Sequence, residues 1–166
     1  MDIVILGSGN VAAVLGRKFK AAGHNILQIV SHNASVASKL AYEWDTESTN
    51  YSSIINRNAD VYIVAVSDDA IDDVVADLQL PRKVVAHTAA SVSKDVLKNV
   101  SDHYGVFYPL QSLNKENIDL PEAPIFFDGS DEVGNEVVTE KVALVDGSPQ
   151  AVRHRLPSQT LRITQS

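Results

Sequence analysis

A segment near the start of the chain has the composition and spacing of a phosphate-binding loop. Residues 7–12 follow the pattern G-x-G-x-x-A. Gly7 permits a tight turn, Gly9 lets a pyrophosphate approach the backbone, and Ala12 lets a helix pack closely on a sheet. The free N–H groups and positive end of that helix then face the phosphates. The pattern predicts a dinucleotide site that contains Gly7, Ser8, Gly9, Asn10 and Val11.

The same pattern also occurs by chance, as a glycine turn in an α/β fold that binds nothing. Here the context favours a ligand. The loop follows a short apolar run at residues 3–6, opens a segment of helical period at 10–22, and precedes a second apolar run at 26–30. This strand, loop, helix and strand order is the context that the dinucleotide fingerprint requires.

The end of the second predicted strand bears on which cofactor is bound. NAD enzymes usually place Asp or Glu there to hold the ribose hydroxyls, whereas this chain has Ser31, His32 and Asn33. No carboxylate at this place repels a 2′-phosphate, and all three side chains can donate hydrogen bonds to one. We therefore predict NADP(H) rather than NAD(H). A role for Asn33 or Ser35 as the cap of the next helix is compatible with this prediction.

Strand-like and helix-like segments alternate along the chain, which predicts a doubly wound, mostly parallel α/β sheet of the Rossmann type with helices on both faces. The predicted strands are residues 3–6, 26–30, 61–66, 84–86, 106–108 and 125–127. The predicted helices are residues 10–22, 34–42, 69–78, 94–100 and 131–145. Residues 45–58 are polar and ambiguous.

Length and composition exclude several classes of protein. The chain has 166 residues, a net charge of -7 and no cysteine. Nucleic acid is a poor partner for this charge, and disulfides and thiolate zinc sites are excluded. No apolar run is long enough to span a membrane, and Asp2 argues against a signal peptide. We expect a soluble cytoplasmic protein without a membrane or nucleic-acid partner.

Four segments also carry a resemblance to a known family: residues 7–12, 59–71, 87–91 and 108–112. In this order and spacing they resemble the Rossmann-like proteins with a C-terminal domain of unknown function (the DUF2520 group). These proteins are similar to the coenzyme-F420-dependent NADP oxidoreductases and to pyrroline-5-carboxylate reductase, in the 6-phosphogluconate-dehydrogenase-like superfamily. The resemblance covers residues 1–145.

The resemblance implies further site residues. Val66, Ser67 and Asp68 would form the loop beside the cofactor's ribose and pyrophosphate, and His87 and Thr88 would end a strand near the nicotinamide. Ligands of open α/β sheets bind at such carboxyl ends of strands. For Ser67 and Asp68 the alternative is a simple cap of the next helix, because both residue types are favoured caps.

The chain departs from the family pattern in two ways. Tyr108 stands where the family usually has histidine. We also expect the helical domain that the resemblance says dimerises and closes the substrate pocket to be missing. We therefore expect a dinucleotide-binding domain at residues 1–146, followed at 147–166 by a tail or the truncated start of that domain. Apolar surface left exposed by its absence favours self-association, so we expect a homodimer.

Hydride transfer needs a group that supplies or removes one proton. His87 fits by type and position, with Thr88 as a second catalytic candidate and Ser91 and Tyr108 as weaker ones. The alternative for His87 is a strand-end histidine bonded to backbone. A metal is not expected, because the run of acids at residues 68–73 lacks His or Cys companions and belongs to the first turn and solvated face of a helix.

These features predict an NADP(H)-dependent oxidoreductase, or its cofactor-binding half, acting on an unidentified small substrate. The alternative is a non-catalytic NADP-binding sensor or regulatory module. A Rossmann fold that binds S-adenosylmethionine is a third possibility, but the missing acid after the second strand argues against it.

Overall fold

The computed structural model describes residues 1–89, 91–109, 125–131 and 152–154. Its strands are Asp2–Leu6 (β1), Asn25–Val30 (β2), Glu47–Thr49 (β3), Val61–Val64 (β4), Val84–His87 (β5), His103–Pro109 (β6), Ile125–Gly129 (β7) and Val152–His154 (β8). Its α-helices are Asn10–Ala21 (α1), Ala34–Glu43 (α2) and Ile71–Val75 (α3). Short 3-10 turns lie at Ser52–Ile54, Asp68–Ala70 and Lys94–Leu97.

The strands form one sheet in the order β3-β2-β1-β4-β5-β6-β7-β8. Strands β1 to β6 are parallel, β7 is antiparallel to β6, and β8 is parallel to β7. From β1 the chain first builds outward to β3 and then returns to add β4 on the other side. Open α/β sheets bind ligands at such a reversal, outside the carboxyl ends of the strands. The predicted doubly wound Rossmann fold is confirmed.

The alternation of side chains along β1 separates two cores. Ile3 and Ile5 pack in the cluster that contains Phe19 of α1. Val4 and Leu6 point to the opposite face and pack in a second cluster, which contains Ile71 of α3. A strand covered on both faces must be apolar at every position, which explains the continuous apolar run.

Three predicted elements differ from those observed. The ambiguous segment 45–58 contributes β3, which pairs with β2 at the edge of the sheet. The predicted helix at 69–78 is a 3-10 turn followed by the five residues of α3. The predicted helix at 94–100 is a 3-10 turn only. Several apolar residues of both segments are buried, among them Ile71, Leu78 and Leu97, so their spacing reported burial correctly and the length of the helix incorrectly.

The C-terminal part is described only in pieces. The predicted strand at 125–127 is β7, whereas the predicted helix at 131–145 lies almost wholly outside the described residues. Within the predicted tail, β8 adds three residues to the sheet beside β7. Among the helices that the structure describes, none is both long and apolar enough to cross a membrane.

Candidate dinucleotide-binding site

The glycine loop connects β1 to α1 in a conformation that requires glycine at its first position. Gly7 has φ +122°, and its N–H donates to the Val30 carbonyl oxygen at 2.7 Å. A Cβ atom at Gly7 would lie 2.1 Å from the carbonyl oxygen of Ala65. Gly7 therefore allows β1, β2 and the end of β4 to approach one another at the reversal of the sheet.

Gly9 has a different role from Gly7. A Cβ atom added there would meet no other atom within 4 Å, and φ is -78°, which any residue adopts. The protein itself therefore does not require glycine at this position. Gly9 is the N-cap of α1, and no side chain caps the first N–H groups of this helix. The open space and the free donors together fit a pyrophosphate.

A cleft of about 570 Å³ opens over this loop, at the carboxyl ends of β1, β2 and β4. Eight of the eleven predicted cofactor residues line it, namely Gly7, Ser8, Gly9, Ser31, His32, Asn33, Val66 and Ser67. The other three are Asn10, Val11 and Asp68. Asn10 is exposed at the start of α1, and Val11 packs against the core. The cleft thus brings together three loops that are far apart in the chain.

Hydrogen bonds fix the loop after β2. The hydroxyl groups of Ser8 and Ser31 lie 2.7 Å apart and join this loop to the glycine loop. Ser31 also accepts from the Asn33 N–H at 3.2 Å. The Asn33 side-chain oxygen accepts from the Val36 N–H at 3.2 Å and caps α2. The capping role considered for Asn33 is present, and the residue still lines the cleft.

The cleft also contains residues that the sequence did not indicate. Asn50 and Ser52 follow β3, which apolar spacing could not reveal. Asp73 and Asp77 also line the cleft. The acidic run predicted on the solvated helix face includes Asp73, so the sequence could have indicated this residue. No Lys or Arg belongs to the described lining, and His32 is its one residue able to become a cation. The residues fit a dinucleotide, with hydroxyl, amide and imidazole donors for a 2′-phosphate.

The loop after β4 is not held by side-chain caps. Ser67 occupies the N-cap position of the 3-10 turn, but its side chain makes no capping bond. The Asp68 carboxylate instead accepts a hydrogen bond from the Ser91 hydroxyl at 2.8 Å. The structure therefore places Asp68 against the next loop along the sheet.

His87 ends β5 and is fully buried, with 0% of its surface exposed. Its Nδ1 accepts from the Ala89 N–H at 3.1 Å. Since Nδ1 carries the lone pair, the proton is on Nε2, which donates to the Ser93 carbonyl oxygen at 3.1 Å. Burial lowers the pKa of His87, although the bond to Ser93 and the charge of Asp68 oppose this effect. This geometry favours the alternative of a strand-end histidine bonded to backbone.

The other catalytic candidates are less constrained. Thr88 is half-buried, and its N–H donates to the Val64 carbonyl oxygen at 3.2 Å. Tyr108 lies in β6 in register with Phe126 of β7, and its side chain lies outside the described part of the structure. Within the described ranges, no group of three or more His, Cys, Asp or Glu residues is placed to hold a metal ion.

A protein-family model matches the part of the chain that contains the glycine loop. The family model described as NADP oxidoreductase, coenzyme F420-dependent, matches residues 2–91, which is more than half of the chain. Those residues include the glycine loop and end just after His87. No curated protein matches the chain.

Solved structures share this fold over most of the chain. A protein from Bacteroides fragilis described as an NADP oxidoreductase is 27% identical, with a TM-score of 0.77 over 93% of this chain and 60% of that one. Pyrroline-5-carboxylate reductase from Streptococcus pyogenes is 16% identical, with a TM-score of 0.71 over 96% of this chain and 59% of that one. An imine reductase from Myxococcus stipitatus, in complex with NADP+, is 14% identical, with a TM-score of 0.70 over 93% and 55%. The chain thus spans 60% or less of each of these proteins.

Proposed function

Because the chain belongs to the family of coenzyme F420-dependent NADP oxidoreductases, we propose that it is an NADP(H)-dependent oxidoreductase or the cofactor-binding half of one. Membership in this family confirms NADP as the predicted cofactor. The proposed reaction is hydride transfer to or from an unidentified small substrate. The observation that carries the proposal is the cleft over Gly9, where open space and uncapped N–H groups meet.

The residues of the cleft divide between the parts of the cofactor. The N–H groups at the start of α1 face the pyrophosphate, and the absent side chain of Gly9 leaves room for it. Ser31, His32 and Asn33 donate hydrogen bonds to the 2′-phosphate, with no carboxylate among them to repel it. Val66 and Ser67 form the wall beside the ribose and pyrophosphate, and Thr88, at the start of the loop after β5, faces the nicotinamide half. The nicotinamide ring supplies the hydride chemistry when the cofactor is bound.

Binding is the first property to test. NADPH and NADH are titrated separately against the purified chain, with nucleotide fluorescence as the readout. The proposal expects NADPH to bind more tightly than NADH, and binding of neither contradicts it. Turnover is then sought with a deazaflavin and with cyclic imines as hydride partners, using a longer relative that includes the helical domain. NADPH binding without turnover of any partner would favour the sensor function.

Two further predictions extend the proposal to the whole protein. The division of the chain at residue 146 depends on the helical domain that the family resemblance implies, whereas the homodimer is expected from the apolar surface that the absence of this domain leaves exposed. Since this chain spans only 60% of the Bacteroides fragilis protein, a longer relative is the proper control. Light scattering of both proteins tests the homodimer. A monomer in both cases would contradict it.

A further inference from the structure

One buried side chain holds the β5 loop, by which we mean residues 88–89 and 91–93 between β5 and the next 3-10 turn. His87 bonds through Nδ1 to the backbone at the start of this loop and through Nε2 to the backbone at its end, both at 3.1 Å. Inside the loop, the Val92 N–H donates to the Ala89 carbonyl oxygen at 3.1 Å. The imidazole therefore ties Ala89, near the start of the loop, to Ser93 at its end.

The β5 loop reaches the cofactor cleft through one hydrogen bond. The Ser91 hydroxyl donates to the Asp68 carboxylate at 2.8 Å, and both residues are exposed. Asp68 directly follows Val66 and Ser67, which line the cleft. A bond to a charged acceptor is stronger than one between neutral groups. The position of the β5 loop thus sets the position of one hydrogen-bond donor to the loop after β4.

Only one protonation state of His87 satisfies both of its bonds. The neutral ring with the proton on Nε2 accepts from Ala89 and donates to Ser93. A charged ring carries N–H groups at both positions, so one of them would face the Ala89 N–H. The titratable group whose charge acts on the ring is Asp68, across the loop. His87 in this state is not available to exchange a proton with a substrate.

We propose that His87 is a positioning residue for the nicotinamide half of the cofactor, acting through the β5 loop and the Ser91–Asp68 hydrogen bond. This inference rests on the proposed function and replaces the catalytic role predicted for His87. In the proposed function the adenosine 2′-phosphate is held by the loop after β2, to which the β5 loop makes none of the described hydrogen bonds. Loss of the two His87 hydrogen bonds is therefore expected to weaken binding of the nicotinamide half of the cofactor and to leave binding of the adenosine half unchanged.

Two ligands allow binding of the nicotinamide half of the cofactor to be distinguished from binding of the adenosine half. NADPH carries both, whereas adenosine 2′,5′-bisphosphate carries the adenosine and the 2′-phosphate without the nicotinamide half. The variants are Ser91→Ala, which removes the exposed hydroxyl, and His87→Asn, whose oxygen keeps an acceptor near the place of Nδ1. Ser31→Ala, in the adenosine part of the cleft, is the matched control. Dissociation constants are measured for each protein with both ligands.

We expect Ser91→Ala to weaken NADPH binding about fivefold, the value of one hydrogen bond, and to leave the bisphosphate unchanged. A further variant, His87→Gln, is expected to weaken NADPH binding more than His87→Asn, because its amide oxygen lies one carbon beyond the place of Nδ1, where the Ala89 N–H donates. Ser31→Ala should weaken both ligands. Equal weakening of both ligands by Ser91→Ala, or no change in either, would overturn the inference.

The outcomes also separate the inference from the proposed function. A wild type that binds neither ligand refutes the proposed function, and the positioning role fails with it. A wild type that binds both, with variants that do not discriminate between them, refutes only the positioning role. Long-range proton–nitrogen NMR of the His87 ring gives a readout without ligand. Observation of the proton on Nδ1 would refute the hydrogen bonds of His87 to Ala89 and Ser93, and with them the positioning role, even if every variant fails to fold.

Discussion

The glycine loop and the β5 loop both follow the carboxyl end of a parallel strand, but they differ in how their backbone polar groups are used. Each follows a buried parallel strand and lies at the same edge of the sheet. The glycine loop works by the absence of side chains, with open space beside Gly9 and uncapped N–H groups on α1. The β5 loop works by the presence of one side chain, because His87 uses both ring nitrogens on the backbone. One loop keeps its polar groups for a ligand, and the other satisfies them internally.

The largest effect is expected from Gly7→Ala. The new Cβ would lie 2.1 Å from a backbone oxygen, in a backbone conformation with positive φ. We expect the free energy of unfolding to fall by about 3 kcal/mol or more, because backbone strain and overpacking add. Urea unfolding measures this loss. The control is Gly23→Ala, which has φ +91° and open space, and should cost about 1–2 kcal/mol. Equal losses would show that the close approach at Gly7 is unimportant.

Gly9→Ala sharpens the contrast within the same loop. Since nothing lies within 4 Å of the new Cβ, the free energy of unfolding should fall by about 1 kcal/mol or less, the difference between Gly and Ala at an N-cap. NADPH affinity should nevertheless fall at least about tenfold, because the methyl group fills the place of the pyrophosphate. The measurement is the NADPH titration, beside urea unfolding of the same variant. Unchanged affinity would mean that the pyrophosphate binds elsewhere.

The β5 loop should give the fold a pH dependence that the glycine loop lacks. Burial lowers the pKa of His87 in the folded state, so the unfolded chain binds the proton more readily. Stability is then complete above the ordinary histidine value of about 6.5 and falls as pH falls toward the folded pKa. Urea unfolding between neutral and mildly acidic pH should show this decline in the wild type. The decline should be absent from His87→Gln, and its persistence there would assign it to another group.

Protonation of Glu43, which breaks its ion pair with Arg17, is expected to lower the free energy of unfolding by a smaller amount. Arg17 hydrogen-bonds Glu43 at 2.8 Å and lowers the pKa of its carboxyl, which affects stability only at more acidic pH. Both groups are partly exposed, so solvent screens this contribution.

The smallest effect is expected where the glycine loop does have a side-chain bond. Ser8→Ala removes the hydroxyl that lies 2.7 Å from Ser31 and should cost about 1 kcal/mol or less. Ser31→Ala should cost more, because it also removes the acceptor for Asn33. Urea unfolding of both single variants and the double variant measures their coupling. Strict additivity would show that the two hydroxyl groups do not interact.

The sequence was sufficient to predict those elements whose structure depends on local residue types alone. The apolar runs and glycine spacing predicted β1, α1 and β2, and the cleft indeed lies over the glycine loop. The sequence was not sufficient where distant partners decide the structure. Gln28, a polar residue in a buried strand, is held by the Ile54 carbonyl oxygen and the Asn56 N–H, and no local pattern indicates this. The surroundings of His87 depend likewise on Ser93 and Asp68, which only the folded chain brings together.

The order of the strands has a consequence for the behaviour of the chain in concentrated solution. The two edges of the described sheet are β3 and β8, and each is only three residues long. An edge strand offers unpaired N–H and carbonyl groups to any passing chain, and a long flat edge is a template for aggregation. Three residues offer little to pair with. The longer apolar strands β1, β2 and β6 lie between these two short edges.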